Sequence, residues 1–269
     1  MSSMVAPYDF TAGRLPLLVS LPHDSSYVPP EITGRMTEAA LVTPDTDWHV
    51  AKLYDFAAEL GASVLTATHS RYVIDLNRDP SGAALYRNAS NTELCPVTTF
   101  EFEPLYKDGE EPDDREIARR TIDYWQPYHD KIAAELAALK AKHGVAILFD
   151  GHTIKSEVSR FYEGRIPDLN LGTASGASAD ADLAEQAFST LVGNDYSAVW
   201  DERFTGGYIT RHYGDPAHNI HALQLELTWR TYMDETSFAY LPDRAALLKP
   251  LLQSLLHTLV NWGNINATG

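Results

Sequence analysis

Several short runs of apolar residues, each bounded by turn-forming or charged residues, predict β-strands along the chain. The runs LPLLVSLP at 15–22 and VAILFD at 145–150 are almost continuously apolar, as in strands that are buried on both faces. Segments rich in β-branched and aromatic residues predict further strands at 62–70, 71–80, 197–204 and 221–229.

Apolar positions at helical spacing predict four helices between and after these strands. The segment PDTDWHVAKLYDFAAELG predicts a helix that begins near Asp45 to Asp47, at an Asp/Thr cap cluster, and ends at Gly61. A long pattern at 114–142 contains Pro127, where we expect a kink or a break. Two more helices are predicted at 180–192 and 244–263, and the second of these is amphipathic and partly broken by proline.

This alternation of strands and helices predicts an α/β fold of three α/β/α layers, with helices on both faces of a mixed, mostly parallel sheet. No repeat, linker or change of composition divides the chain, so we expect one domain over residues 1–269. Two segments show little periodicity, 81–114 and 153–178. We expect the first to be a surface excursion of the kind that often forms a lid or a binding loop.

The composition limits the possible partners. The chain carries 37 acidic and 21 basic residues, and its formal net charge of −16 repels nucleic-acid phosphates and anionic lipids. An anionic substrate must therefore be bound by a few locally placed arginines. The chain has one cysteine, no signal-like N-terminus and no apolar stretch near the ~20 residues of a membrane span. We expect a cytoplasmic protein with a small-molecule partner, and neither nucleic acid nor membrane.

Histidines and acids follow two of the predicted buried strands. His23 follows the first, and Asp150-Gly151-His152-Thr153 ends the strand at 145–150. Because sites in open α/β sheets form outside the carboxyl ends of the strands, we expect these clusters to converge. Catalytic zinc sites use such imidazole and carboxylate ligands and leave one position for water. No HExxH or CxxC motif is present, and histidines that are only hydrogen-bonded are the structural alternative. The nearby acids are Asp24, Asp45, Asp47 and Asp150.

Glu226 lies on the polar side of a predicted strand. In HALQLELTW the leucines face one way and Glu226 faces the other, so its carboxylate needs a partner or a chemical role. A salt bridge to Arg230 or Arg211 is the structural interpretation. The functional interpretation is a general base beside metal-activated water, because partial burial raises the pKa of a carboxylate toward neutrality.

The end of RYVIDLNRDP has groups that bind an anion. Arg78 offers a planar fork that binds a carboxylate through two N–H groups, and Asn77 adds a donor beside it. Pairing of Arg78 with Asp79 or Asp75, which would tie down a turn, is the structural alternative.

The order of these features resembles a known class of enzyme. A histidine, a Leu-Asn-Arg segment, a second histidine and a glutamate on a late strand resemble the zinc-dependent carboxypeptidases. The segments SLPHDSSYVPP, PDTDWHVAKLYDFAAELGAS, SRYVIDLNRDP, FDGHT and ALQLELTWRTYM resemble the N-formylglutamate amidohydrolase (deformylase) family more closely, from about Leu15 to Met233. The resemblance implies a zinc-carboxypeptidase-like core and an amidohydrolase that cleaves N-formyl-L-glutamate to formate and L-glutamate in histidine degradation.

The resemblance also implies a metal site. Carried over by position, His23 and His152 become ligands of Zn²⁺, although these ligand types also suit another divalent metal. The carboxypeptidase pattern places a glutamate ligand where this chain has Ser26, so the third ligand has another source. Asp47 is the first choice, followed by Asp45 and Asp24.

The remaining roles concern catalysis and the substrate. Glu226 becomes the general base, and Asn77 with Arg78 the clamp for the α-carboxylate of a dicarboxylate N-acyl amino acid. The second carboxylate requires a second cation, for which Arg211 with the adjacent His212 is the first candidate and Arg160 and Arg165 are alternatives. Within DGHT, we expect Asp150 to accept a hydrogen bond from a metal ligand and Gly151 to let the backbone turn close to the site.

Other functions are alternatives to this one. A zinc exopeptidase, or another N-acyl-amino-acid amidohydrolase, would use the same groups with a differently shaped pocket. A non-catalytic acyl-amino-acid-binding protein would bind the substrate without turnover. A cysteine hydrolase centred on Cys95 lacks a nearby histidine or helix N-terminus to lower the thiol pKa. The sequence leaves the oligomeric state open.

Overall fold

The computed structural model describes residues 5–84 and 90–266. The centre of the fold is a seven-stranded mixed sheet. The strands are β1 (Tyr8–Thr11), β2 (Leu17–Leu21), β3 (Ser63–Ala67), β4 (Ala146–Ile154), β5 (Leu169–Gly172), β6 (Ala198–Trp200) and β7 (Ile220–Thr228). Their order in the sheet is β1-β3-β2-β4-β7-β5-β6. β3, β2, β4 and β7 are parallel neighbours, as are β5 and β6, whereas the β1–β3 and β5–β7 pairs are antiparallel. The mostly parallel sheet confirms the prediction.

Helices cover both faces of the sheet. On one face Phe149 of β4 shares a buried cluster with the helix that ends the described chain, and on the other Leu148 shares one with Tyr128 of the long central helix. This arrangement confirms the three-layer prediction. The helices are α1 (Pro30–Thr33), α2 (Glu38–Leu41), α3 (Val50–Leu53), α4 (Ala57–Leu60), α5 (Asp114–Arg120), α6 (Gln126–His143), α7 (Ala181–Leu191), α8 (Tyr208–Tyr213) and α9 (Pro242–Asn266), with a π-helical segment at Thr121–Trp125 and 3₁₀ turns at Pro216–His218 and Trp229–Thr231.

β4 is longer than the predicted strand at 145–150, because the DGHT segment continues it. β4 pairs with β7 from Ala146 opposite Ile220 to Ile154 opposite Thr228. This ladder satisfies the backbone N–H and C=O groups through residue 154, so the strand continues past Asp150 without a turn. The register places His152 opposite Glu226.

The predicted strand at 71–80 is wrong, because this segment is a buried loop. Its backbone hydrogen bonds form no strand ladder. Arg78 N donates to Asp75 O within the segment, whereas Asp75 N donates to Leu94 O. Tyr72 and Val73 are buried in one cluster and Ile74 in another. Consecutive apolar residues are therefore buried on different sides of a loop, a pattern that sequence reasoning interpreted as a strand.

The predicted helix from Asp45–Asp47 to Gly61 is divided into two single turns, α3 and α4. His49, just before α3, has a positive φ of 64°. The carboxylate of Asp47 accepts a hydrogen bond from Thr153 N, and that of Asp24 accepts one from Ala51 N. These tertiary bonds replace the predicted helix start, whereas Gly61 (φ 105°) ends α4 as predicted.

The prolines do not break the two long helices. Pro127 lies where the π-helical segment, which continues α5, passes into α6, and the wider π-helical turn accommodates a residue that has no N–H. Pro250 lies inside α9, which nevertheless runs unbroken. Burial of Leu248, Leu252 and Leu255 against the sheet stabilises α9 by roughly 1.5 to 3 kcal/mol for each side chain, which together exceeds the ~3 kcal/mol cost of an internal proline.

The two segments of weak periodicity differ from each other. The described parts of the excursion, 81–84 and 90–113, contain isolated β-bridges but no helix or strand, and 85–89 lie outside the described residues. The segment at 153–178 contains β5, which was not predicted. Within the described ranges, no helix has both the length and the apolar character needed to cross a membrane.

Burial of His129 on α6 makes the stability depend on pH. Burial lowers the pKa of His129 to about 3, although the hydrogen bond to Leu76 O opposes this shift. The unfolded chain, with a histidine pKa near ~6.5, binds a proton that the native state does not, so stability falls as the pH decreases from about 6.5 toward 3. We expect His129 to contribute up to ~1.4 kcal/mol per pH unit to this fall.

Urea unfolding at pH 5 and pH 7 tests this expectation in the wild type and in His129→Gln, which keeps an N–H donor for Leu76 O. The variant should lose less stability between the two pH values than the wild type. His257→Gln, which changes an exposed histidine of α9, is the matched control and should behave like the wild type. Equal losses in all three proteins would contradict the assignment.

Candidate active site

Two histidines and an aspartate meet at the carboxyl end of the parallel strands. His23 follows β2, Asp47 precedes α3 and His152 is part of β4. One donor atom from each of these buried residues lies within 4.8 Å of the others, so the three can hold a metal ion. Asp47 Oδ2 is 3.1 Å from His152 Nδ1 and 3.7 Å from His23 Nδ1.

The Nε2 atom of each imidazole lies next to a buried carboxylate. His23 Nε2 is 2.8 Å from Asp75 Oδ1, and His152 Nε2 is 2.8 Å from Asp150 Oδ2. Such a partner fixes the proton on Nε2 and leaves Nδ1 as the metal-binding atom. The buried His23 Nδ1 has no hydrogen-bond partner in the part of the chain that the structure describes. The donor set therefore fits a divalent metal.

The charges around this group favour ionised carboxylates. Burial opposes ionisation of Asp47, but the nearby imidazoles of His152 and His23 outweigh it and lower the pKa of Asp47. Burial also opposes ionisation of Asp75, and Arg71 more than compensates, so that the pKa of Asp75 lies well below its ordinary value. Arg71 Nη2 is 2.7 Å from Asp75 Oδ2, and Nη1 is 3.5 Å from Asp47 Oδ1.

The other two candidates for the third ligand lie elsewhere. Asp45 accepts hydrogen bonds from Tyr72 Oη and Phe100 N, and Asp24 accepts one from Ala51 N. Both carboxylates thus stabilise loops. The structure places Asp47, the first choice from sequence, with the two histidines.

Glu226 lies beside the metal-binding group, on β7. It lines the same cavity as His23, Asp47 and His152. Neither predicted salt-bridge partner reaches it, because Arg230 pairs with Asp168 at 2.6 Å and Arg211 donates to Gly206 O. Burial raises the pKa of Glu226 to about 8, although the nearby His152 opposes this shift. This carboxyl group can therefore exchange a proton near neutral pH.

Asn77 and Arg78 also line the cavity. The Asn77 amide is held inside the protein, since Ile209 N donates to its Oδ1 and its Nδ2 lies 3.2 Å from Asp150 Oδ2 and 2.9 Å from His152 Nε2. Arg78 donates from Nε and Nη2 to Thr92 Oγ1, and from Nη1 to Asn77 O. The side chain of Asn77 thus supports the His152–Asp150 pair, while Arg78 borders the cavity.

The backbone around Asn77 and Arg78 is fixed by the region where the π-helical segment meets α6. Trp125 Nε1 donates to Arg78 O at 3.1 Å, and His129 Nε2 lies 2.8 Å from Leu76 O. The Trp125 and His129 rings stack with centroids 3.7 Å apart. π-helical turns often occur next to functional sites, and this one helps to hold a cavity-lining loop.

The candidates for the second cation do not line this cavity. Arg211 and His212 lie on α8 and border a separate depression with Asp79 and Tyr208. Arg165 is exposed. Arg160 donates to Ser90 Oγ, Thr98 Oγ1, Thr99 O and Asn91 O, and so fastens the excursion against the segment after β4.

Gly151 has a different role from the predicted one. It lies inside β4 on the face opposite His152, so the backbone does not turn there. A Cβ at this position would lie 2.8 Å from Leu21 Cδ2 and 3.3 Å from the Tyr54 ring. Glycine thus leaves room for the side chains of Leu21 and Tyr54, which pack directly onto the strand that carries His152.

Sequence reasoning missed three charged residues. Asp75 was considered only as a partner for Arg78, Arg71 was part of a predicted strand, and Arg203, which also lines the cavity, was part of another. Asp75 could have been found from its place directly before Leu76-Asn77-Arg78. Arg71 and Arg203 have no comparable signal, because their roles depend on which loops meet at the sheet edge.

Comparison with known proteins supports the family resemblance. The sequence model of the N-formylglutamate amidohydrolase family matches residues 15–233. The N-formylglutamate deformylases of Pseudomonas aeruginosa and Pseudomonas putida are each 47% identical to this chain over 256 residues, which cover 94% of this chain and 96% of each relative.

Solved structures share the fold. The crystal structure of N-formylglutamate amidohydrolase from Ralstonia eutropha JMP134 matches with a TM-score of 0.81 at 22% identity and covers 96% of this chain and 100% of that one. A gene product of Agrobacterium tumefaciens matches with a TM-score of 0.73 at 17% identity, over 95% of this chain and 96% of that one. The family match over most of the chain and the two relatives of 47% identity show that the chain belongs to the N-formylglutamate amidohydrolase family.

Proposed function

We propose that this protein is a zinc-dependent amidohydrolase that cleaves N-formyl-L-glutamate to formate and L-glutamate. The relatives named N-formylglutamate deformylase support the substrate. The observation that carries the chemistry is the position of Glu226, a buried carboxyl group opposite His152 in the register of β4 and β7. It lines one cavity with all three candidate metal ligands.

His23, Asp47 and His152 are proposed to hold the metal, with Asp75 and Asp150 fixing the two imidazoles. When bound there, Zn²⁺ supplies Lewis-acid chemistry that stabilises negative charge on the amide oxygen and makes water more acidic. Two nitrogen ligands and one carboxylate are a ligand set that zinc hydrolases use.

Glu226 is proposed to be the general base. Its carboxylate takes a proton from the attacking water as the water oxygen bonds to the formyl carbon, and it passes that proton to the amine nitrogen when the C–N bond breaks. Its raised pKa suits both transfers, since the group must accept and then release a proton near neutral pH.

Arg78 is proposed to bind the α-carboxylate of the substrate, because its guanidinium borders the cavity and its position is fixed by Thr92 and the Asn77 carbonyl. Asn77 stands beside it, and we assign this amide the task of positioning Asp150, to which its Nδ2 donates.

The proposal is tested by formate release from N-formyl-L-glutamate by the purified protein, alongside N-acetyl-L-glutamate and a blocked dipeptide. We expect release from the formyl substrate that chelation abolishes and added Zn²⁺ restores. Faster hydrolysis of the dipeptide would identify an exopeptidase instead, and substrate binding without any turnover would identify a binding protein.

A further inference from the structure

Three arginines line the cavity among the residues that the structure describes: Arg71, Arg78 and Arg203. N-formyl-L-glutamate carries two carboxylates. In a protein of this negative charge, each of them requires a cation at the place where it binds. The α-carboxylate is common to all amino acids, whereas the side-chain carboxylate distinguishes glutamate from the neutral ones.

Arg71 is committed to the metal-binding group. Its ion pair with Asp75 is 2.7 Å long, Asp47 lies 3.5 Å away, and its guanidinium lies 4.8 Å above the centre of the Phe100 ring. Both carboxylates are buried. The charge of Arg71 balances Asp75, which fixes His23, and Asp47, a proposed metal ligand. Arg71 is therefore not the cation that a substrate would recruit.

Arg203 follows β6, an edge strand of the sheet, and lines the cavity. Its Nε donates to Phe161 O, and its guanidinium carbon lies 5.7 Å and 5.6 Å from the ring centres of Phe161 and Phe204. The guanidinium is thus oriented by a backbone carbonyl and two aromatic rings. A partly buried arginine held in this way binds an anion with little loss of side-chain freedom.

The cavity wall near Arg203 is apolar. Ile154, Phe161 and Phe204 line the cavity together with Arg203. Phe161 packs edge to face on Phe100, with centroids 4.8 Å apart. An apolar wall beside a fixed guanidinium matches a side chain made of methylene groups that ends in a carboxylate.

We propose that Arg203 binds the side-chain carboxylate of the substrate and so selects N-acyl amino acids with an anionic side chain over neutral ones of the same size. This inference rests on the proposed hydrolysis of N-formyl-L-glutamate. It replaces Arg211, Arg160 and Arg165 as the second cation, since none of these lines the cavity.

The test compares N-formyl-L-glutamate with N-formyl-L-glutamine, its neutral isostere. For the wild type we expect kcat/KM to be at least about 10²-fold higher with the glutamate derivative, because a site built for a charged group loses that much when the charge is absent. Arg203→Gln should lower kcat/KM for the glutamate derivative by about 10²-fold, mainly through KM, and change that for the glutamine derivative less than about threefold. Arg203→Lys should recover part of the loss.

Two further measurements separate this role from a structural one. Calorimetry in a Glu226→Gln background should show weaker binding of N-formyl-L-glutamate when Arg203→Gln is added, without any turnover. Arg119→Gln, which removes an exposed positive charge from α5, is the matched control and should leave the selectivity unchanged.

The outcomes distinguish the inference from the function on which it rests. If the wild type releases no formate from either substrate, the proposed function fails. If it releases formate from both at similar rates, or if Arg203→Gln slows both equally, hydrolysis stands and the role of Arg203 is overturned. If Arg211→Gln lowered kcat/KM for the glutamate derivative alone, the role of Arg203 would also be overturned. The side-chain carboxylate would then be assigned to Arg211 on α8.

Discussion

Replacing Glu226 with glutamine is expected to lower kcat for formate release by about 10³-fold, since removal of a general base typically costs 10² to 10⁴. Glutamine has nearly the same shape but cannot take a proton from water. The folded state should tolerate the change, because burial already disfavours the charged form of this residue and raises its pKa. Metal content and substrate affinity should stay close to those of the wild type.

The measurement combines steady-state formate release, metal analysis and calorimetric binding of N-formyl-L-glutamate. Glu185→Gln, an exposed position on α7, is the matched control and should retain full activity. A Glu226→Gln protein with the wild-type rate and normal metal content would show that another group moves the proton.

Replacing His152 with alanine is expected to remove both the metal and the activity. Loss of this ligand leaves His23 and Asp47, and it also leaves the buried carboxylate of Asp150 without the imidazole that it faces at 2.8 Å. We expect less than about a tenth of the wild-type metal content after dialysis and a fall in kcat/KM of about 10³-fold or more.

Metal analysis of the dialysed protein and formate release with added Zn²⁺ check this result. His257→Ala on the exposed side of α9 is the matched control and should keep both properties. Because His152→Ala also lowers stability, His152→Gln provides a second test with a polar side chain of more similar size. Metal content and rates unchanged in both variants would contradict the assignment of the site.

The losses expected for the Glu226 and His152 variants are large because the sheet itself holds both residues in place. His152 and Glu226 are neighbours in the longest ladder of the sheet, so their separation is fixed by backbone hydrogen bonds. Tyr54 packs against Gly151 from the opposite face and limits movement of the strand. A rigid strand pair thus carries one metal ligand and the proposed base, as accurate catalytic geometry requires.

Part of the site could be predicted from single residues. His23 and His152 follow or interrupt strongly apolar runs, and Glu226 interrupts an alternating pattern of leucines, so each conflicts with its local surroundings. A polar residue in a buried strand costs free energy unless it has a partner or a role, which makes such positions visible in sequence. Asp150 could likewise be predicted from sequence to accept a hydrogen bond from a metal ligand, and it lies next to His152 Nε2 in the structure.

The sequence did not place Asp75, and it left Asp47 as one of three candidate ligands, because these partners come from distant parts of the chain. Asp47 and His152 are 105 positions apart, and His23 and Asp75 are 52 apart. The choice of Asp47 over Asp45 depends on loop conformations that tertiary hydrogen bonds impose. The bonds to Asp47 and Asp24 also divide the predicted helix after Asp47.

The sequence by itself determined the alternating α/β architecture, the central strands and the types of residue available for metal binding, because periodicity and burial act over short stretches of chain. The tertiary structure alone decided that Asp75 faces His23, that DGHT continues β4, and that Arg203 rather than Arg211 lines the cavity. The physical reason is that register and loop packing set distances between side chains, whereas local pattern sets only which face of a helix or strand is buried.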